Sequence, residues 1–312
     1  MVKISKTTSD LTKEEWHELR KTGIGGSDAA VVCGMSKYKS PFELWQEKTG
    51  KVETKEAGEK AYWGNVLEPF VRAEFEKRTG YEVHLEKSVL QHPYNPFMLA
   101  NVDGMVFNEE YPKGCIFEAK TASAYLEYEW EDGKVPEVYQ LQVQHYLGVS
   151  NFAGAYIAVL IGGNTFKWTF IPRDEELIEM LIKIEGVFWE YVINDTPPPI
   201  DGSEASTYFI QELYKFCEKN SKVELPAKAE KLIEQYQETQ EFEKDMARKK
   251  NEAANKLKAM LGNNEIGTIN EKIVSWKNID TDKFDTTSFK VEHPDLYSQY
   301  LKKSSYRRFI IK

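Results

Sequence analysis

Apolar side chains recur along the chain with two spacings, one helical and one typical of strands. Helical stretches open at a capping box of Thr12 and Glu15 and again at Ser40, which is followed by Pro41. Alternation over short apolar stretches predicts strands. The predicted helices cover residues 12–22, 41–49, 61–79, 137–147 and 175–189, and the predicted strands cover residues 81–90, 97–100, 105–107, 115–120, 152–161 and 165–171.

This order gives helices first, then a three-stranded meander, a crossover helix and two further strands. It favours an α/β domain with a central mixed β-sheet flanked by helices. Residues 51–60 are predicted to form a polar loop. The prolines at 197–199 end the domain, which we assign to residues 1–204.

Beyond residue 204 the pattern changes to charged helices. Helices are predicted over residues 205–219 and 228–261, followed by a hairpin at 266–276 and a strand at 306–312. The thin apolar seam of the long helix favours a projecting helix pair or a coiled-coil contact. Residues 205–312 are therefore predicted to form a C-terminal helical arm with a small β element, used for assembly or partner contact.

The helix over residues 61–79 places one carboxylate beside its predicted buried face. Glu68 lies three residues before Val71 and seven before Phe75, at the border of the apolar stripe. It is either an inward-facing partner for a metal or a lysine, or a boundary glutamate at the rim. The predicted stripe consists of Trp63, Leu67, Phe70, Val71 and Phe75.

The composition supports a sizeable core, since 41% of the 312 residues are hydrophobic. The net charge of −9 is uneven: residues 1–204 contain 21 Lys/Arg and 33 Asp/Glu, a net −12, whereas residues 205–312 contain 20 and 17, a net +3. An acidic first domain argues weakly against a nucleic-acid partner. A nuclease, however, needs only a local basic path, and bound metal ions add positive charge at its site.

The three cysteines, Cys33, Cys115 and Cys217, are far apart and form no C-x-x-C motif. Their spacing argues against an iron–sulfur cluster or a structural zinc and predicts reduced thiols. No apolar run reaches the length of a membrane span, and the N-terminus lacks the apolar core of a signal peptide. We therefore expect a cytoplasmic protein without membrane contact.

The strand over residues 115–120 carries an acid and a base two positions apart. Glu118 and Lys120 share one face of this apolar strand with Ile116, and Asp103 follows the neighbouring apolar run. Carboxylates from two adjacent strands can bind Mg²⁺, and Lys120 could hold a water or phosphate oxygen beside the ion. The alternative is a surface ion pair on an edge strand, with Asp103 and Gly104 forming only a turn.

A glycine-rich loop over residues 23–28 precedes an apolar helical stretch. Ser27 is a good N-cap, so the loop is predicted to end at a helix N-terminus, where backbone N–H groups favour phosphate. Arg20 lies one turn before the loop and could bind the same anion. The alternative is an ordinary tight connection between two helices.

Taken together, Glu68, Asp103, Glu118, Lys120 and Gln144 resemble the site of the PD-(D/E)xK nuclease superfamily. The finer resemblance is to phage recombination exonucleases of the lambda exonuclease and YqaJ type, and it implies a restriction-endonuclease-like core. The segments that carry it, in order along the chain, are residues 16–20, 25–27, 63–68, 102–104, 117–120 and 139–146.

The resemblance implies a role for each site residue. Asp103 and Glu118 ligate Mg²⁺ with help from the Ala119 carbonyl, and two ions per site are expected, with Mn²⁺ as an alternative metal. By the same resemblance, Glu68 supports the metals, directly or through water, and Lys120 activates the attacking water. Gln144 orients substrate or water, and Arg20 and Ser27 bind a 5′-phosphate.

The implied activity is a Mg²⁺-dependent 5′–3′ exonuclease that resects linear double-stranded DNA for phage-type recombination by single-strand annealing. The alternatives are a prophage endonuclease with the same core and, in another class, a non-catalytic DNA-end or protein-binding module. The expected partners are double-stranded DNA ends and a single-strand annealing protein docked on residues 205–312. A ring-shaped trimer is a further expectation.

Overall fold

The computed structural model describes residues 2–7, 11–54, 58–304 and 306–311. The chain forms two compact units, Met1–Leu213 and Tyr214–Lys312. Strands of the first unit are β1 (Val2–Thr7), β2 (Ile24–Gly25), β3 (Val83–His84), β4 (Ser88–Gln91), β5 (Met98–Ala100), β6 (Gly104–Val106), β7 (Cys115–Ala122), β8 (Gly154–Ile161) and β9 (Thr165–Pro172). Its α-helices are α1 (Lys13–Lys21), α2 (Gly26–Val32), α3 (Pro41–Lys48), α4 (Glu59–Thr79), α5 (Glu137–Ser150), α6 (Glu175–Ile193) and α7 (Glu204–Leu213).

A five-stranded mixed sheet with the order β3-β6-β7-β8-β9 forms the centre of the first unit. Strands β7 and β8 are parallel, and the other neighbours are antiparallel. A parallel pair needs a long crossover, and α5 lies in the crossover between β7 and β8. The predicted central mixed sheet flanked by helices is thus confirmed.

The two faces of β7 pack against different helices. Phe117 lies in one cluster with Val71 and Phe75 of α4, whereas Ile116 lies in another with Val143 and Leu147 of α5. Alternate side chains of a strand face opposite ways. Glu118 and Lys120, which alternate with Phe117, are therefore directed to the α5 side.

The predicted strand over residues 81–90 is wrong as a single element. Strand β3 pairs with β6 in the central sheet, whereas β4 pairs with β5 in a second sheet of order β1-β4-β5-β2. The chain changes sheets between β3 and β4. Alternation of apolar residues continues through the crossing, so the sequence pattern does not reveal it.

Helix α7 ends at Leu213, earlier than the predicted helix over residues 205–219. Its Phe209 ring makes an edge contact with Phe42 of α3, with the ring centroids 6.0 Å apart. This packing places α7 in the first unit, which therefore extends past the predicted boundary at residue 204.

The second unit contains α8 (Lys228–Leu261), a hairpin of β10 (Ile266–Ile269) and β11 (Lys272–Ser275), and the short helices α9 (Thr286–Glu292) and α10 (Pro294–Gln299). Helix α8 has the bounds predicted for the long helix. The helix predicted over residues 205–219 is α7 of the first unit, so the two do not form a helix pair within the second unit. Residues 306–311 form no strand, and Lys312 of that predicted strand lies outside the described residues, as do residues 55–57 of the predicted polar loop. Across the ranges given above, no helix combines the length and apolar character needed to span a membrane.

Candidate active site

Asp103 immediately precedes β6 and lies beside β7. Gly104 pairs with Phe117, and a Cβ atom at position 104 would lie 2.4 Å from Cγ1 of Val83. Only glycine permits this close approach. The backbone N–H of Ala119 donates a hydrogen bond to Asp103 Oδ2 at 2.8 Å, which fixes the Asp103 carboxylate next to β7.

Glu118 and Lys120 form a buried ion pair. Lys120 Nζ lies 2.6 Å from Glu118 Oε1 and 4.8 Å from the centre of the Tyr139 ring. Glu118 is only 2% exposed, and β7 lies inside the sheet between β6 and β8. The alternative of a surface ion pair on an edge strand is therefore wrong.

Helix α4 supplies Glu68 to a cleft of about 860 Å³ that Asp103, Glu118 and Lys120 also line. Glu68 is half-buried, since it borders the part of α4 that packs on the sheet. The predicted stripe of α4 is partly wrong, because Trp63 and Phe70 are exposed. In α4, the buried residues are Val71 and Phe75.

Burial and mutual repulsion raise the pKa values of three carboxyl groups in this cleft. Burial raises the pKa of Glu118 to about 8; Asp103 adds to this effect and Lys120 opposes it. Burial, followed by the charge of Asp103, raises the pKa of Glu68 to about 7. Burial also raises the pKa of Asp103, against the opposing effect of Lys120. When all three carboxyl groups are ionised, their negative charge exceeds the charge of Lys120, and a further cation would stabilise this ionised form.

The oxygen atoms of the cleft fit a hard divalent cation. Glu118 Oε2 is buried and has no hydrogen-bond partner among the described residues, a condition that costs free energy unless a donor or cation is bound. In the described ranges, no three Asp, Glu, His or Cys side chains are grouped as ligands of one ion. Mg²⁺ commonly binds through one or two carboxylates and retains several waters. Asp103, Glu118 and the Ala119 carbonyl suit this open arrangement.

The structure does not bring Gln144 to the cleft. Its Nε2 donates to the Pro172 carbonyl at 2.8 Å, and its Oε1 accepts from the Asp174 N–H at 3.0 Å. The predicted site role of Gln144 is therefore wrong. This amide instead ties α5 to the end of β9 and the start of α6.

Gln142 occupies the position that the sequence prediction gave to Gln144. Its Nε2 donates to Glu118 Oε1 at 2.7 Å, and its Oε1 accepts from Lys120 Nζ at 3.1 Å. The hydrogen bond from Gln142 to the Tyr146 hydroxyl, at 3.1 Å, fixes the amide further. Residues 141–150 of α5 are all buried, so no amphipathic pattern distinguishes the two glutamines.

Arg20 and Ser27 meet at a second polar site. Arg20 Nη2 donates to Ser27 Oγ and to Asp28 Oδ1, each at 3.1 Å. Helix α2 begins at Gly26 with Gly25 as its N-cap, so the prediction of Ser27 as N-cap is wrong. A Cβ atom at Gly26 would lie 2.3 Å from the Tyr146 ring, which shows how closely α2 packs on α5.

A cavity of about 210 Å³ joins the two polar sites. Its lining includes Arg20 and Ser27 as well as Asp103, Glu118 and Gln142. Asp103 and Glu118 also line the larger cleft. The two carboxylates therefore lie where the open cleft meets the cavity that leads to Arg20.

Comparison with known proteins gives matches in sequence and in structure. The YqaJ-like viral recombinase domain family matches residues 15–153. The uncharacterized protein YqaJ of Bacillus subtilis (strain 168) is 42% identical over 308 residues, which cover 97% of this chain and 95% of that protein.

Among solved structures, an alkaline exonuclease from Laribacter hongkongensis is similar with a TM-score of 0.50 and 20% identity, over 65% of this chain and 99% of that one. The same enzyme in complex with dAMP gives a TM-score of 0.50 at 21% identity, over the same shares of the two chains. At these identities the likeness shows a shared fold. Because the sequence match to the Bacillus protein spans nearly the whole of both chains, the protein belongs to the YqaJ-like viral recombinase family.

Proposed function

We propose that the protein is a Mg²⁺-dependent 5′–3′ exonuclease that removes nucleotides from one strand of linear duplex DNA. The observation that carries this proposal is that Asp103 and Glu118 line both an open cleft and a cavity that Arg20 and Ser27 also line. Membership of a viral recombinase family and the fold shared with an alkaline exonuclease support a nuclease of the phage type.

The cleft residues have different roles in phosphodiester hydrolysis. Asp103, Glu118 and the Ala119 carbonyl would hold the metal, with Glu68 supporting it. When bound, divalent ions would supply Lewis acidity and lower the pKa of a bound water; we propose two Mg²⁺ ions per site, with Mn²⁺ as an alternative. The ammonium of Lys120 orients the attacking water and balances charge on the phosphate oxygens.

Gln142 keeps this constellation in place. Its amide bridges Glu118 and Lys120 from the α5 side, so that both side chains hold one orientation while substrate binds. Pre-organisation of this kind avoids rearrangement during the reaction.

The proposed 5′–3′ direction of cleavage is based on Arg20 and Ser27. A guanidinium beside a hydroxyl suits a terminal phosphate, because both groups can donate charge-assisted hydrogen bonds to its oxygens. With the 5′-phosphate at Arg20, the cavity leads the first nucleotide toward Asp103 and Glu118. Cleavage would then proceed from the 5′ end.

Digestion of linear duplex DNA labelled at one 3′ end tests this proposal. With Mg²⁺ we expect gradual shortening from the 5′ end, no cutting of a closed circle, and loss of activity with EDTA. Cutting of the circle would indicate an endonuclease with the same site. Absence of cutting by a folded, metal-loaded protein would favour a non-catalytic binding module.

Lys120→Ala is the matched variant for the chemistry. We expect its cleavage rate to fall by about 10²–10³, as for the removal of one electrostatic stabiliser. Lys167→Ala, which removes a partly exposed lysine paired with Glu127, is the control and should cut normally. Normal cleavage by Lys120→Ala would contradict the assigned role.

Arg20→Ala tests the phosphate site by itself. We expect slower digestion of 5′-phosphorylated ends with little change at 5′-hydroxyl ends, because only the phosphorylated end needs the guanidinium. Equal rates on both end types, as high as those of the unaltered protein, would contradict binding of the 5′-phosphate by Arg20.

For the second unit we propose contact with a single-strand annealing protein, as the family resemblance implies. Exposed Phe242 and Met246 on α8 offer apolar surface for such a partner. Capture of the annealing protein should weaken when both residues are changed to glutamate, and equal capture would contradict the proposal. The ring-shaped trimer stays a prediction, to be tested by light scattering.

A further inference from the structure

Arg20, Asp28 and Lys48 form a three-residue cluster at the phosphate site, in which Asp28 and Lys48 are buried. The Asp28 side chain is 4% exposed and accepts hydrogen bonds from Arg20 Nη2 at 3.1 Å, from Lys48 Nζ at 2.7 Å and from the Gly25 N–H at 3.1 Å. A buried carboxylate with this set of donors is ionised and fixed in one orientation. Burial by itself raises the pKa of Asp28, but Lys48 and Arg20 outweigh it and hold the pKa below its usual value.

Lys48 is the least exposed cation of this cluster. Its side chain is 5% exposed, compared with 40% for Arg20. Besides Asp28, Lys48 Nζ contacts the backbone carbonyl of Arg20 at 2.6 Å. Lys48 therefore holds Arg20 in two ways. It donates to the backbone carbonyl of Arg20, and it fixes the Asp28 carboxylate that the Arg20 guanidinium contacts.

The cluster of Arg20, Asp28 and Lys48 has two positive charges and one negative charge. The neighbouring Lys39 and Glu47 form their own pair at 2.7 Å and add no net charge. Among the described residues, only Nη2 of the Arg20 guanidinium forms hydrogen bonds with protein atoms. Its Nε and Nη1 groups can therefore donate to a bound anion.

We propose that Lys48 is a positioning residue that gives the site its preference for 5′-phosphorylated ends. Lys48 compensates the negative charge of Asp28, so the positive charge of Arg20 is available to bind the phosphate. This inference rests on the proposed function of Arg20 as the phosphate ligand.

The physical reason is competition between two anions for one guanidinium. Without Lys48, Asp28 would be a buried carboxylate with Arg20 as its remaining cationic partner, and an uncompensated buried charge is costly. Arg20 would then be drawn to Asp28, and an incoming phosphate would meet a cluster of zero net charge. If Asp28 were neutral as well, Arg20 would again be available.

The test compares initial rates on duplexes that differ only in a 5′-phosphate or a 5′-hydroxyl, using the full chain with Mg²⁺. For Lys48→Met we expect the rate on the 5′-phosphorylated duplex, divided by the rate on the 5′-hydroxyl duplex, to fall about tenfold. A change of this size is the effect of one weakened charge-assisted hydrogen bond. The double variant Asp28→Asn/Lys48→Met restores the net charge of the cluster and should regain most of the ratio. Lys39→Met is the matched control, since it removes a nearby cation that contacts neither Asp28 nor Arg20, and it should keep the ratio.

Each outcome decides the inference. If the double variant has a ratio as low as that of Lys48→Met, Lys48 is merely structural; if Lys39→Met lowers the ratio equally, long-range charge is responsible. Either result overturns the proposal. Should Lys48→Met fail to fold, Asp28→Asn replaces it, and a ratio below that of the unaltered protein would overturn the proposal. An unchanged ratio in Arg20→Ala would instead show that the phosphate site itself is wrong.

Discussion

At the scale of single residues, the cleft depends on a few polar side chains held in a largely apolar surrounding. Lys120 has an elevated pKa although burial lowers it, because Glu118 and Asp103 stabilise the ammonium. The same burial raises the pKa of Glu118. Lys120 and the carboxylates therefore depend on one another, and Gln142 is the neutral residue that bridges Glu118 and Lys120.

Gln142 and Gln144 provide a paired prediction. Gln142→Ala should lower the turnover rate with little loss of thermal stability, because two of its three partners, Glu118 and Lys120, are site residues that can bind metal or substrate. Gln144→Ala should leave turnover intact but destabilise the fold by about 1–3 kcal/mol, because the two hydrogen bonds that tie α5 to Pro172 and Asp174 are lost. Steady-state rates and denaturant unfolding measure both effects, and the opposite assignment would restore the role predicted for Gln144.

At the scale of elements, helix α5 connects both sheets to the site. His145 on α5 is fully buried, with Nδ1 2.8 Å from Glu185 of α6 and Nε2 2.9 Å from the carbonyl of Leu99 in β5. Since both ring nitrogens face acceptors, the geometry suits the doubly protonated imidazolium. Burial lowers the pKa of His145, but Glu185 outweighs it, and the pKa lies above its usual value.

This pair makes the stability of the fold depend on pH. A histidine whose pKa is raised by folding stabilises fully below its unfolded pKa of about 6.5, and the contribution is lost as pH rises through the folded value. With His145→Gln/Glu185→Gln as the neutral reference, the difference in Tm should be largest below about pH 6.5 and become smaller at alkaline pH. Scanning calorimetry measures it, and a constant difference from pH 6.5 to pH 10 would contradict the charged pair.

Helix α4 shows a different relation between sequence and packing. Tyr62, Val66 and Phe70 recur every four residues on one face, yet all three are exposed. Periodicity identifies an apolar face but does not show which partner covers it. The sheet covers the face with Val71 and Phe75 instead.

At the scale of the whole molecule, the two compact units separate the proposed chemistry from the proposed partner contact. All residues assigned to the cleft, the cavity and the phosphate site belong to Met1–Leu213. Large apolar residues of the second unit, among them Phe242, Met260 and Trp276, are exposed. Exposed apolar surface of this kind is typical of an interaction region.

A chain of residues 1–213 should therefore fold and digest linear duplex DNA at a rate comparable to that of the full chain. The reason is that its hydrophobic clusters and proposed site residues lie within that range. Circular dichroism and the end-labelled digestion assay provide the measurement. A folded but inactive truncated chain would show that the second unit takes part in cleavage.

Features that depend on local geometry could be predicted from the amino-acid sequence alone. The capping box of Thr12 and Glu15 is formed as predicted. Alternation along β7 was enough to put Glu118 and Lys120 on one face, and the mixed sheet followed from the order of elements. The first two features depend on residues close together in the chain, and the third depends on the order of helices and strands along it.

Contacts between side chains that are distant in the chain could not be predicted from the sequence pattern and are seen only in the tertiary structure. Gln142 rather than Gln144 contacts the site residues, and the pattern of α5 favours neither because residues 141–150 are all buried. The tertiary structure also brought Lys48 to Asp28, 20 positions away, at the base of the phosphate site. Periodicity determines the face on which a side chain lies, whereas its partner depends on how helices and sheets pack, and that packing is a property of the whole fold.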